Sequence, residues 1–463
     1  MIKFQSRTIA NSFKTKQDKY LQMLVVKIIG MVILKERVKP ANNYFYILKN
    51  SGAFSKHSGK NSIEILAQWE KQHSHWVNGD YEKSVNNRKL ILSELYQINN
   101  VNTENYFPPV LSVEFSGPIG HQAMMGVHIA AQQLGILPYG KRLAFRKIAE
   151  EPKPLLDAFI PFINFANYAQ DSAWTELPNH WHIAERLQLI KSNKGFIDLY
   201  EMIEKVFSSE LRTPNNPLFS LPEEYLEFAK SELGLLGLKN DQWFVGLHIR
   251  NEGSGYARRN QPIESYIKGI LEITSRGGWV IRIGDSSMTP LPRMAQVIDL
   301  VNYEEARSDL HAYVLAKCNF FIGTSSGPSS VPPLFGVPTV VTNTTSLGRN
   351  VLSAAKNSIY LPKILTNLNF EMLSFEQILK NEDAFGELEL DELEKRGLNL
   401  LPNTEDDILS AVIEMFDRLD NPDISEKNDF SSRICEIRAG SPWTSQGEFA
   451  KSFLEKYQER FLA

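Results

Sequence analysis

Two short polar motifs, each at the end of an apolar run, hold the residue types that handle phosphate. In WFVGLHIRNEG an alternating strand closes on His248, Arg250, Asn251 and Glu252. Alternate strand residues share a face, so His248 and Arg250 flank one volume at the strand's end. Arginine offers a planar fork of donors suited to a diphosphate. Asn251 and Glu252 open the next loop within reach of a sugar or ribose hydroxyl. Tyr256, Arg258 and Arg259 add a positive cluster facing the same way. A structural ion pair of Arg250 with Glu252 or Asp285 is the alternative.

In NFFIGTSSGPSSVPPLFGVP a buried run ends in Gly323-Thr324-Ser325-Ser326-Gly327 and is expected to pass into a short Pro-punctuated helix. Backbone N–H groups and hydroxyls at such a turn make an anion site. It is not a P-loop, because GxxxxGK[ST] is absent and no lysine follows. A plain N-cap is the alternative use of these residues. Asp285, where WVIRIGD leaves its strand, either reads a ribose or base or caps its own turn through Ser286. SGPIGH supplies Gly117, Pro118 and Gly120, which let a ligand approach the backbone, and then His121. An imidazole there has the right titration range for a general base; otherwise it is a plain helix-start histidine. His311 reads as a helix-face residue. His73 and His75, two apart, do not share a helical face and are not read as metal ligands.

These motifs need strands to end where they begin. From 236 to 420 the strands DQWFVGLHIR, WVIRIGD, NFFIGTSS and PTVVTN alternate with the helices QPIESYIKGILEITSRGG, SDLHAYVLAKC and GPSSVPPLFG, which indicates parallel βαβ units. From 106 to 235 the texture is strand, Gly-rich turn and helix: VLSVEF, SGPIGH and QAMMGVHIAAQQLG, with a second strand at LPYGKRLAF, an aromatic loop over 164–178 and a helix at EEYLEFAKSELGLLG. Residues 1–105 read as helical, with one hairpin of tetratricopeptide type over 65–98 and no second copy. Residues 421–463 end in an amphipathic helix.

A chain of 463 residues is too long for one core. A net charge of −4 argues against a general nucleic-acid binder, so no nucleic-acid partner is expected. Two cysteines, Cys318 and Cys435, are too few for a disulfide framework and fit a reducing, cytoplasmic setting. No secretory signal is recognised. The first 40 residues carry Lys3, Arg7, Lys14, Lys16, Lys19, Lys27, Lys35, Arg37 and Lys39 against Asp18 and Glu36. Around YLQMLVVKIIGMVIL this reads as a basic, apolar-faced helix, lying on an anionic membrane surface or packed on the protein's own core.

FSGPIGH, VGLHIR, GGWVIRIGD, SDLHAYVLAKC and FFIGTSSGPSSVPPLFGVP, in that order over 106–350, resemble a family of bacterial surface-polysaccharide glycosyltransferases of the GT-B type. His248-x-Arg250 is similar to the fucosyltransferase motif whose arginine holds the donor diphosphate. SSGPSSVPPLFGVP is similar to the heptosyltransferase turn that contacts donor phosphates. The resemblance implies an α/β fold with two Rossmann-like domains facing across a cleft. The acceptor domain would span 106–235 and the donor-nucleotide domain 236–420, with an α-helical N-terminal extension over 1–105. It also implies a nucleoside-diphosphate sugar as donor substrate, a saccharide or lipid-linked acceptor, inversion at the anomeric carbon, and no cofactor. Arg250, Ser325, Ser326 and Gly327 would then hold the donor. The chain departs from the heptosyltransferase pattern: Ser325 replaces its Asp, and no His follows. The front aspartate that serves some such enzymes as base is missing, and His121 stands nearest. No DxD-like carboxylate pair stands at a strand end in the catalytic part, so a metal clamp is not implied. A two-domain sugar-nucleotide epimerase and a non-catalytic helical scaffold are the competing readings.

Overall fold

The structure, a computed structural model, describes residues 85–86, 89–90, 119–138, 142–146, 154–167, 189–207, 219–251, 257–303, 308–345, 358–380, 390–421, 433–434, 436–437 and 448–463. The segment 1–40, nearly all of the hairpin expected at 65–98, and the expected strand VLSVEF lie outside these residues. The chain divides into two compact units, 1–110 with 171–199 and 111–170 with 200–463. In the first, Leu189–Ser192 and Gly195–Asp198 form an antiparallel hairpin that turns through Asn193 and Lys194, with Gly195 after the turn at φ +117°.

The second unit is built on a seven-stranded, wholly parallel sheet. Its strands in chain order are β1 (Phe244–His248), β2 (Trp279–Arg282), β3 (Val297–Asp299), β4 (Phe321–Thr324), β5 (Thr339–Thr344), β6 (Ile359–Pro362) and β7 (Glu448–Phe449). In space they run β3-β2-β1-β4-β5-β6-β7. This is a doubly wound α/β order, and its direction of progression reverses between β1 and β4. Sequence reading assigned the last 43 residues to a helix alone. The two-residue β7 was too short to show a pattern, yet it docks beside β6 through Ile359↔Glu448 and Tyr360↔Phe449.

Both faces of the sheet are covered, which is why β1 and β4 are buried throughout. Val245 and Leu247 of β1 face a core shared with helices α3 (Ile267–Ser275), α5 (Glu405–Asp420) and α6 (Lys451–Phe461). Phe416 of α5 packs edge-on against Phe320 and Trp243 at 5.2 and 5.9 Å. Fully burying a ring such as Phe320 contributes roughly 1.5–3 kcal/mol. The opposite face of β1 takes helix α4 (Ser308–Lys317): Phe244 stacks on Tyr313 at 6.0 Å. A Cβ on Gly246 would stand 3.0 Å from Val314 and 3.2 Å from Cys318 Sγ. The helix therefore needs glycine there to approach so closely. Burial pushes the Cys318 thiol up to about 12, which leaves it chemically inert.

Beside the sheet, α1 (Ile119–Gln133) is buried almost all round and ends at Gly135 with φ +69°. Helix α2 (Glu223–Leu235) stops before Gly237, φ +105°. Strand Arg142–Arg146 pairs in parallel with Ile163–Asn167. The expected loop over 164–178 thus begins as strand: INFAN is short and lies between turn residues, so its periodicity was hidden.

Candidate functional site

The switch point between β1 and β4 is where the two polar motifs meet. His248 is in register with Gly323 across the strand pair. Just beyond, the Arg250 backbone N–H donates to Thr324 Oγ1 at 3.3 Å. His248 Nδ1 and Ser326 Oγ lie 3.1 Å apart. The strand ends are thus tied to each other by side chains as well as by the ladder. In sheets of this topology such a crevice, outside the carboxyl ends, is where ligands bind.

The residues differ in what they leave available. Thr324 is fully buried and committed to Arg250, while Ser329 Oγ donates to the Thr324 carbonyl at 2.6 Å. Ser325 is buried, and Ser326 and Gly327 are half-buried. His248 sits under α4, 5% exposed. Burial, reinforced by the charges of Arg282, His311 and Arg250, holds its imidazole down at about 3. It is therefore neutral at physiological pH and works as a hydrogen-bonding partner for Ser326. Arg250 is half-buried and its Nε donates to Asn260 Oδ1 at 3.3 Å.

Several expectations need correction. GPSSVPPLFG forms two short 3-10 turns, Gly327–Ser330 and Pro332–Phe335, in place of one helix. Pro328, Pro332 and Pro333 lack the N–H groups an α-helix would use, so the turn has no helix dipole behind it. Asp285 is exposed and caps its own turn, accepting from the backbone and hydroxyl of Ser287, where Ser286 was expected. Those bonds, with His248 and His311 nearby, hold its carboxyl below the usual range. Arg258 is wholly buried in a 3-10 turn, not on a positive loop face, and Arg259 beside it is half-buried. The Arg258 carbonyl accepts from Lys363 Nζ at 2.6 Å. Glu252 and Tyr256 lie outside the described residues.

The SGPIGH motif reaches the same place from another direction. Gly120, in the first turn of α1, meets Gly327: a Cβ on Gly120 would be 3.1 Å from the Gly327 Cα. His121 is exposed at this end of α1, one residue from that contact.

Other polar groups at the carboxyl edge carried no spacing signal. Asn343 adopts φ 53° at the end of β5, a left-handed conformation uncommon outside glycine. It is held by reciprocal bonds with Asn403, the two backbone N–H groups donating to each other's side-chain oxygens at 2.6 and 2.8 Å. Tyr266 and Thr342 hydroxyls lie 2.6 Å apart below them, with burial raising the phenol to about 12. Lys363 is buried, and desolvation lowers its amine to about 8. Asn260 and Gln261 complete the edge beside Arg250. Among the described residues no cluster of His, Cys, Asp or Glu could hold a metal ion, and no helix is long and apolar enough to cross a membrane.

No family model matches the chain, and no curated protein matches it. Among solved structures it is similar to a glycosyl transferase family 9 protein from Veillonella parvula, at 15% identity over 64% of this chain and 78% of that one, with TM-score 0.34. It is also similar to ADP-heptose lps heptosyltransferase II of E. coli, at 12% identity over 68% and 100%, TM-score 0.41. For E. coli heptosyltransferase WaaC with ADP the identity is 12% over 62% and 98%, TM-score 0.33. At TM-scores this low, function rests on the residues themselves.

Proposed function

We propose that this chain is a metal-independent glycosyltransferase that moves a sugar from a nucleoside-diphosphate sugar to a saccharide or lipid-linked acceptor in bacterial surface-polysaccharide synthesis, with inversion. The observation that carries the reading is the convergence of Arg250 and the 324–327 turn at the switch point between β1 and β4. In this reading the Arg250 guanidinium, whose backbone N–H is tied to Thr324, and the hydroxyl-lined turn hold one diphosphate between them.

In the reaction the acceptor oxygen attacks the anomeric carbon as the bond from that carbon to the diphosphate oxygen breaks. The leaving diphosphate takes the bonding pair, and Arg250 with Ser325, Ser326 and the Gly327 backbone offsets the charge that develops. Fixed donors aimed at developing charge are the main source of rate in such a site. The acceptor proton passes to His121, whose place beside Gly327 puts it at the same edge. His248, held neutral, orients Ser326. In this reading 106–235 presents the acceptor and 236–420 holds the donor. The basic 1–40 segment rests on the cytoplasmic face of the membrane, near lipid-linked acceptors.

The test is incubation with UDP-, GDP- and ADP-linked sugars, with and without saccharide acceptors and a metal chelator. The expected result is release of one nucleoside diphosphate, accelerated by acceptor and unaffected by chelation. Release from none of them contradicts the proposal. A changed sugar still attached to its nucleotide would identify an epimerase instead.

A further inference from the structure

Beside Arg250 lies a cavity of about 320 Å³, lined by Asn251, Asn260, Gln261, Pro262, Ile263, Glu264 and Thr289. Gln261 is only 3% exposed, yet both Nε2 and Oε1 are buried without a hydrogen-bond partner among the described residues. Asn251 Oδ1 is in the same condition. Both residues are anchored at the diphosphate edge: Gln261 N–H donates to the Arg250 carbonyl at 2.7 Å, and Asn251 follows Arg250 in the chain.

A buried carboxamide with neither end paired is costly to the free protein, and native structures rarely keep one without a use. A primary amide sets one acceptor and one donor side by side. The matching ligand feature is an edge with donor and acceptor at the same spacing, as every nucleobase has, and amide side chains read bases in this way. Asn251 Oδ1 adds a second acceptor. Ile263 and Pro262 supply apolar surface for a flat ring, and the volume falls in the range of small-molecule sites. We propose that Gln261, with Asn251, reads the nucleobase of the donor in this cavity. The inference rests on the diphosphate reading above and extends it from phosphate to base.

Vicinal sugar hydroxyls offer related hydrogen bonds, so the test must separate base from sugar. Calorimetric titration of the whole chain with ADP, GDP, UDP, CDP, ribose 5-phosphate and inorganic pyrophosphate does so, because none of these carries the transferred sugar. The parent is expected to favour one base over the others by tenfold or more. Gln261→Met should weaken that nucleotide by roughly ten- to a hundredfold and flatten the preference, with pyrophosphate affinity unchanged. Gln261→Glu, which keeps the size but exchanges the donor half for an acceptor, should change which base is preferred. Removing two unpaired polar ends should leave the melting temperature of unliganded Gln261→Met equal to or above the parent's, which certifies its fold.

A Gln261→Met protein with the parent's base preference overturns this inference alone, as does equal binding of ribose 5-phosphate and the favoured nucleotide. A parent that binds neither pyrophosphate nor any nucleotide overturns the diphosphate reading along with it.

Discussion

Gly120 and Gly327 meet backbone to backbone: a Cβ on Gly327 would stand 2.9 Å from the Gly120 nitrogen and 2.8 Å from Ile119 Cγ2. Two glycine turns 207 residues apart in sequence are therefore one structural feature. It brings the start of α1, with His121, to the turn that follows β4.

Gly327→Ala forces those backbones apart, at a cost of about 1–3 kcal/mol by analogy with overpacked cores. A lower melting temperature is expected, with sugar transfer falling further than the stability loss explains. Gly120→Ala, whose Cβ has the longer 3.1 Å approach, should be milder. Melting by circular dichroism beside a transfer assay checks both. Parent-like behaviour of Gly327→Ala would show that the two turns are not in contact.

His248 predicts a pH dependence of stability. Its folded value is about 3 against an ordinary 6.5. Between those values the unfolded chain takes up a proton that the folded chain refuses. The contribution is thus fully present above pH 6.5 and is lost as the pH falls toward 3. His248→Gln should make the acid loss shallower by up to one proton, about 1.4 kcal/mol per pH unit. Urea unfolding from pH 7 to 4 measures the slope; an identical slope in the variant refutes the assignment.

Much of this was legible in the sequence, and the reasons are specific. The β1 and β4 runs are apolar because both sheet faces are covered, and their polar ends mark the carboxyl edge. The pairing of Arg250 with the 324–327 turn follows once both are placed on strands of one parallel sheet. What stayed hidden depends on long-range contacts or on backbone donors. The prolines of GPSSVPPLFG turn an expected helix into 3-10 turns. Arg258 reads as a loop cation, yet it is buried with its carbonyl bound by Lys363, 105 residues onward. Gln261 has no motif at all; only a buried, unmet amide on a residue that lines a cavity singles it out.

His121→Ala should lower turnover by roughly 10²–10⁴-fold, the usual range for a lost general base, with donor affinity retained. Turnover equal to the parent's would remove His121 from the reaction.

Deleting residues 1–40 should abolish sedimentation with vesicles containing anionic lipid while leaving diphosphate binding intact. Unchanged sedimentation would assign the basic segment to the protein's own core.

The most direct measurement is a double-mutant cycle on nucleoside-diphosphate affinity, using Arg250→Ala, Ser326→Ala and the pair. If both groups hold one diphosphate, each single variant binds more weakly, and the pair departs from the summed losses by about 0.5 kcal/mol or more. Parent-like affinity in Arg250→Ala, or losses that add like those of distant sites, would contradict it.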